Sequence, residues 1–286
     1  MLIDNLKKII NNSRSKGLSD DYIKTELKEE LIYYALDFIY NSPKWNSLVF
    51  GGGTALKVVG KTARLSEDLD IDYLDDEFKA EIFLQELLKY FERLGIKNLS
   101  FGLKQSGKNI TLKFPILKEL GLIQNIKSES DLLHLKIEVE KNRYSKYKIN
   151  SLPISRDNLF MVVKHYSLED LFANKIGAIL GRKNKVFQNK YDFRGRDFYD
   201  LIWFLQQNIQ PNLDRLKQII KTEHGMDIND YQDVYGLIEK RIDEIDTLGI
   251  YEDMKNLIQQ EESVKQLAIN YKDIFKQLTE QIKKAQ

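Results

Sequence analysis

Residues 51–72 read GGGTALKVVGKTARLSEDLDID: a glycine triplet closed by Thr54, a short helical run, then a strand of alternating acids. In an extended chain successive side chains point to opposite faces, so Asp68, Asp70 and Asp72 share one face and Leu69 and Ile71 the other. Neighbouring like charges repel, and a half-buried strand gains nothing structural from them. A divalent cation is the natural reason to gather them, and an all-oxygen ligand set suits magnesium best. The glycines follow the apolar strand Leu48-Val49-Phe50 and precede Thr54-Ala55-Leu56, so the backbone can approach a ligand closely at a helix N-terminus. That is the form of a phosphate seat. Either half alone could be an ordinary turn or a solvated strand, but their order and spacing favour chemistry on a nucleoside triphosphate (NTP). No Gly-Lys-Ser/Thr follows the glycines, which excludes the Walker loop.

The stretch resembles the nucleotidyltransferase superfamily signature, a hydrophobic residue, then Gly-Gly, then an acid-hydrophobic-acid pair. More closely, GGTAL (52–56) followed by Arg64-Leu65-Ser66-Glu67-Asp68-Leu69-Asp70 is similar to the AbiEii/AbiGii family of toxin nucleotidyltransferases, type IV toxin–antitoxin members of the DNA polymerase β-like superfamily. The Arg-x-Ser-x-Asp-hydrophobic-Asp string is the more specific part.

Outward from this stretch, residues 19–40 carry Ile23, Leu27, Leu31, Ala35 and Phe38 at helical spacing, with Ser19 as cap and Pro43 as terminator. The spacing predicts a second helix over 76–94, stopped by Gly95, and a β-hairpin from 98–104 and 109–116 around QSGKN. LHLKIEVE (133–140) alternates, placing His134, Lys136, Glu138 and Glu140 on one face. In the family a later strand of hydrophobic-acid-hydrophobic form supplies the third metal ligand, and Ile137-Glu138-Val139 fits it better than Glu140. Whether Asp72 or Glu140 also binds metal stays open.

KNRYSKYK (141–148) interleaves four basic residues with two tyrosines, which suits flexible nucleic acid and equally any exposed loop. Pro153, in a polar connector, marks the expected boundary between an α/β domain, 1–152, and a helical domain, 153–286. Ser167-Leu168-Glu169-Asp170 opens a helix whose apolar stripe contains Lys175, so that ammonium needs either solvent at the helix edge or a compensating anion. The run 181–196 holds six basic residues against Asp192 and suits an acceptor-binding or phosphate-steering loop. After it, Arg196-Asp197-Phe198-Tyr199-Asp200-Leu201 resembles the family's Arg-Asp-x-Tyr-Asp-Leu signature; acids at a helix start also favour the helix dipole, which suffices for Asp200. From Pro211 onward only helical patterns recur.

Composition bounds the rest. The 286 residues are 42% hydrophobic and 30% charged with net charge +1, enough for two modest domains and uninformative about nucleic-acid affinity. Without cysteine there is no disulfide or thiolate metal site, and three scattered histidines make zinc a poor fit. MLIDNLKKII lacks a signal-peptide core and no apolar run reaches bilayer length, so a cytoplasmic protein is expected.

The fold expected is α+β, a nucleotidyltransferase-like mixed sheet flanked by helices and followed by a helical C-terminal domain. The resemblance implies Mg2+-dependent transfer of a nucleoside monophosphate from an NTP to an acceptor hydroxyl, the 3′ end of tRNA in described members. It also implies a cognate antitoxin and a role in toxin–antitoxin or abortive-infection systems. Asp68, Asp70 and Glu138 would hold metal, Gly52, Gly53, Thr54 and Ser66 the nucleotide, Lys175 its phosphates, and Asp197 would orient Lys175 or a loop arginine. The alternatives are transfer to a protein or small molecule, and a nucleotide-binding interaction protein without turnover.

Overall fold

The computed structural model describes residues 2–74, 77–123, 130–181 and 192–285. It is α+β and divides into two compact units that exchange segments of chain. The first comprises Met1–Val59, Leu65–Asn142 and Ile149–His165, the second Gly60–Arg64, Arg143–Lys148 and Tyr166–Gln286.

In the first unit, α1 (Leu2–Ser15) and α2 (Asp20–Tyr40) precede β1 (Val49–Gly51), α3 (Gly52–Gly60), β2 (Asp68–Tyr73), α4 (Ala80–Arg93), β3 (Ser100–Lys104), β4 (Asn109–Pro115), β5 (Leu132–Lys141), β6 (Ile149–Arg156) and β7 (Leu159–Tyr166). The seven strands form one mixed sheet in the order β3-β4-β5-β2-β1-β7-β6. Its centre is fixed by two pairings, β1 antiparallel to β2 and β2 parallel to β5. Because side chains alternate, the register buries Leu69, Ile71, Ile137 and Val139 while leaving the acids of the same strands half or fully exposed. Helix α2 packs on β2 and β5 and is buried almost all round, as a helix with apolar residues on every side must be. Its start is capped by Ser19, whose Oγ accepts the Tyr22 N–H at 3.2 Å. The β3–β4 hairpin turns through Gln105, Ser106 and Gly107, all with positive φ.

The domain change expected at residue 153 falls inside β6. Pro153 is compatible with that strand because β6 lies at the edge of the sheet, where alternate N–H groups face away from the ladder. The following run, Leu159–Tyr166, buries alternate residues Leu159, Met161 and Val163 as a strand. Helix α1, not expected from the sequence, buries Leu2, Leu6 and Ile10 at four-residue spacing.

The second unit is helical: α5 (Leu168–Gly181), α6 (Gly195–Gln206), α7 (Leu213–His224), α8 (Tyr231–Glu244), α9 (Leu248–Met254), α10 (Glu261–Ile269) and α11 (Tyr271–Ala285). Phe172 of α5 stacks on Phe204 of α6 with centroids 4.3 Å apart. Gly177 lets α5 and α7 approach closely, since a Cβ there would lie 2.5 Å from Ile219. The buried Tyr271 hydroxyl donates to the Phe198 carbonyl at 2.9 Å and ties α11 to α6. Among the described residues no helix is long and apolar enough to cross a membrane.

Candidate active site

In the first unit the acids of β2 and β5 stand in register. Asp70 is the parallel partner of Glu138, Asp68 of Lys136 and Asp72 of Glu140. Partnered residues on neighbouring strands project from the same face, so Asp70 and Glu138 stand side by side although 68 positions separate them in the chain. The other neighbour of Asp70 is Gly51 of β1, one residue before α3 begins. Gly52, the first residue of α3, has φ +67°, a left-handed conformation that glycine adopts without strain. A Cβ there would lie 1.7 Å from Asp70 Oδ2. The Asp70 carboxylate therefore occupies the space that the missing side chain leaves at the start of α3.

Thr54 and Ser66 lie beneath this turn. Thr54 is fully buried and Ser66 nearly so, and their hydroxyls are 2.6 Å apart. Thr54 Oγ1 also bonds the carbonyl oxygen of Asp68. A hydroxyl has one proton and a carbonyl can only accept, so Thr54 donates to Asp68 and Ser66 donates to Thr54. Both hydroxyls thus point inward and lock the glycine turn to the acidic strand, while Gly52 and Gly53 remain accessible.

Helix α2 supports the same segment. Glu29 Oε2 accepts the Ser66 N–H at 3.4 Å, and Lys28 pairs with Glu67 at 2.8 Å. Burial pushes the Glu29 carboxyl up, with Lys57 and the Ser66 N–H opposing it. Next to it, the buried Glu30 carboxylate pairs with Arg156 at 2.7 Å, and the Arg156 guanidinium lies over the Tyr33 ring. The sequence reading missed both acids. Their signal was present for Glu30, which is three residues from Leu27 and seven from Ile23 and so falls in the apolar stripe.

In the second unit Lys175 of α5 lies between two carboxylates of α6. Its Nζ is 2.8 Å from Asp197 Oδ1 and 2.8 Å from Asp200 Oδ2. The two acids are one helical turn apart and share a face. Asp200 is fully buried and is gripped from its other side by Arg64, whose Nε donates to Oδ1 at 2.6 Å and Nη2 to Oδ2 at 2.7 Å. Burial alone would raise the Asp200 carboxyl, but Arg64 and Lys175 outweigh it and hold it below the usual carboxylate range. The Arg64 guanidinium is likewise held up by Asp200 against the opposing effect of burial. Arg64 and Lys175 balance Asp197 and Asp200, so the four side chains form a neutral, largely buried quartet. The helix dipole is therefore a minor influence on Asp200. Arg64, the first residue of the Arg-x-Ser-x-Asp string, is a structural partner of α6.

The basic segment 143–148 is docked on the helices of the same unit. The Tyr144 hydroxyl donates to Glu223 at 2.6 Å, and the Ser145 N–H to Gln218 at 3.1 Å. The Arg215 guanidinium lies against the rings of Tyr144 and Tyr166. Both tyrosines of the segment are half-buried, while Arg143, Lys146 and Lys148 are exposed. Of the basic run 181–196, residues 182–191 lie outside the described part of the structure.

Among the described residues no group of three or more His, Asp and Glu side chains could by itself hold a metal ion. Magnesium does not need one: it keeps several waters and is bound through one or two carboxylates together with substrate phosphates. The pair Asp70 and Glu138, with Asp68 two residues along the same face, fits that requirement.

Comparison with known proteins bears on this arrangement. The family model described as "Nucleotidyl transferase AbiEii toxin, Type IV TA system" matches residues 35–284. Comparison with curated proteins gives no match. Among solved structures the chain is similar to JHP933 from Helicobacter pylori, with 15% identity, a TM-score of 0.52 and coverage of 94% of this chain and 96% of that one. It is also similar to a putative nucleotidyltransferase from H. pylori, with 14% identity, a TM-score of 0.51 and coverage of 91% and 96%. At these identities the likeness concerns the fold.

Proposed function

The chain belongs to the AbiEii family of nucleotidyltransferase toxins of type IV toxin–antitoxin systems, and from that premise we propose that it transfers a nucleoside monophosphate from an NTP to the 3′ end of tRNA. The observation that carries this reading is the Asp70–Glu138 pairing across β2 and β5, closed by a glycine turn whose geometry only glycine fits. In the reaction the acceptor hydroxyl oxygen attacks the α-phosphorus, the α–β anhydride bond breaks, and pyrophosphate leaves. Asp68, Asp70 and Glu138 would hold Mg2+, which when bound neutralises charge on the triphosphate and the departing pyrophosphate. Glu138, exposed at the sheet surface, accepts the proton of the attacking hydroxyl.

The backbone N–H groups of Gly52, Gly53 and Thr54 receive the outer phosphates at the start of α3. The side chains of Thr54 and Ser66 hold that turn in shape. An ammonium carries three N–H donors, and Lys175 directs two at carboxylates; we assign the third to a phosphate oxygen. Asp197 orients that ammonium. The exposed Arg143, Lys146 and Lys148 suit the backbone of an RNA acceptor. An antitoxin partner, a cytoplasmic location and a part in abortive infection complete the reading.

The test is incubation of the purified protein with magnesium, bulk tRNA and each α-labelled NTP in turn, beside an Asp70→Asn control. Label on tRNA that is lost in the control, and lost when magnesium is chelated, is the expected result. Label on protein would replace the acceptor, and absence of label with every nucleotide would overturn the reading.

A further inference from the structure

We infer that Asp200, fixed by Arg64, is a positioning residue for Lys175; the inference rests on the phosphate role assigned to that lysine. A lysine ammonium sits on a flexible four-carbon stem and, held by one carboxylate, can swing about it. Lys175 is held by two, Asp197 and Asp200, each at 2.8 Å. Two such contacts define where Nζ lies only if the carboxylates are themselves immobile. Asp200 meets that condition. It is fully buried, and the Arg64 fork engages both of its oxygens, which fixes the carboxylate plane. Arg64 thereby acts on Lys175 at one remove.

Electrostatics points the same way. Without Arg64 the remaining Lys175, Asp197 and Asp200 would carry one net negative charge and would repel a triphosphate. With it the quartet is neutral, and the ammonium can offer an N–H to an anion. A guanidinium also suits the position because it stays charged when buried and matches a carboxylate in a planar fork.

The experiment uses the full chain and measures kcat and KM for the NTP in Asp200→Asn, in Lys175→Met and in the double variant. Asp200→Asn keeps the side-chain shape, removes a charge and loosens Nζ. A displacement of 1 Å at a reacting centre costs about 100-fold in rate, so kcat should fall by about that factor, with KM within about threefold of the unaltered protein. In the Lys175→Met background the same change should alter kcat by less than about twofold, because the group being positioned is gone. Equal losses in both backgrounds would overturn the inference and leave Asp200 a structural residue. Arg64→Lys, which keeps the buried charge but loses the fork, provides the same comparison if Asp200→Asn folds poorly.

If the unaltered protein labels no acceptor with any NTP, the functional reading fails instead. The positional claim is then decided by a crystal structure of Asp200→Asn. An Nζ displaced by about 1 Å or more supports it, and an Nζ still in place overturns it.

Discussion

Substituting Gly52 by alanine tests the geometry at the turn most directly. An added Cβ would lie 1.7 Å from Asp70 Oδ2, 2.3 Å from its Cγ and 2.7 Å from its Cβ. Rotating the Asp70 side chain moves the carboxylate away but leaves the contact with Asp70 Cβ. Carbon atoms pack at about 3.5–4.0 Å, so β1 and β2 would have to separate locally by roughly 1 Å. The backbone at Gly52 adds a second cost, because φ is +67° and a left-handed conformation costs an L-residue about 1–2 kcal/mol. Overpacking of this kind costs about 1–3 kcal/mol more, giving a total destabilisation of about 2–5 kcal/mol. The carboxylate loses its place beside Glu138 at the same time, and a misplacement of 1 Å lowers turnover by about 100-fold. Urea unfolding followed by circular dichroism gives the first quantity, and transfer of label under conditions where the variant remains folded gives the second. Turnover within about threefold of the unaltered protein, with stability changed by less than about 0.5 kcal/mol, would refute the steric argument.

Glu138→Gln should abolish most turnover while raising stability in magnesium-free buffer by about 0.2–1 kcal/mol, since it relieves like-charge repulsion with Asp70 on the neighbouring strand; unchanged or lower stability by urea unfolding would count against the side-by-side placement. Arg64→Met should cost about 3–5 kcal/mol, because it leaves the buried Asp200 carboxylate without its fork, and a loss below 1 kcal/mol in the same assay would argue against that pair. Asp200 has a folded pKa below its unfolded value of about 3.9, so its contribution is present above that value and lost as pH falls through the folded one; stability measured against pH in acid should fall more steeply for the unaltered protein than for Asp200→Asn. Glu29 has the opposite sign. Its folded pKa is raised, so stability is lost as pH rises from about 4.3 through the folded value, and Glu29→Gln should be more stable than the unaltered protein at pH 8 with the gain vanishing near pH 4.

Period and turn chemistry made the centre of this fold legible in one dimension. The acids of β2 and β5 alternate with apolar residues, and a strand with one buried face must do so, which is why Asp68, Asp70 and Glu138 could be singled out. Which acid faces which is set by pairing between distant strands, and nothing local in LDID or IEVE specifies that Asp70 meets Glu138 rather than Asp68. The glycines announced a close approach, but what approaches Gly52 is the protein's own Asp70 carboxylate, a contact visible only once β1 and β2 pair. Pro153 misled because a proline suggests a connector, and an edge strand is the place in a sheet where that inference fails. The Arg64–Asp200 pair lay further out of reach, since an ion pair spanning 136 positions leaves no periodic trace. Its ends nonetheless fall in the two signature strings that looked most distinctive, Arg-x-Ser-x-Asp-x-Asp and Arg-Asp-x-Tyr-Asp-Leu. Arg64 grips the last acid of the second string, and that acid in turn holds Lys175. The first residue of one string and the last acid of the other thus belong to one physical arrangement within the second unit, where a buried arginine fixes a carboxylate and the carboxylate fixes an ammonium.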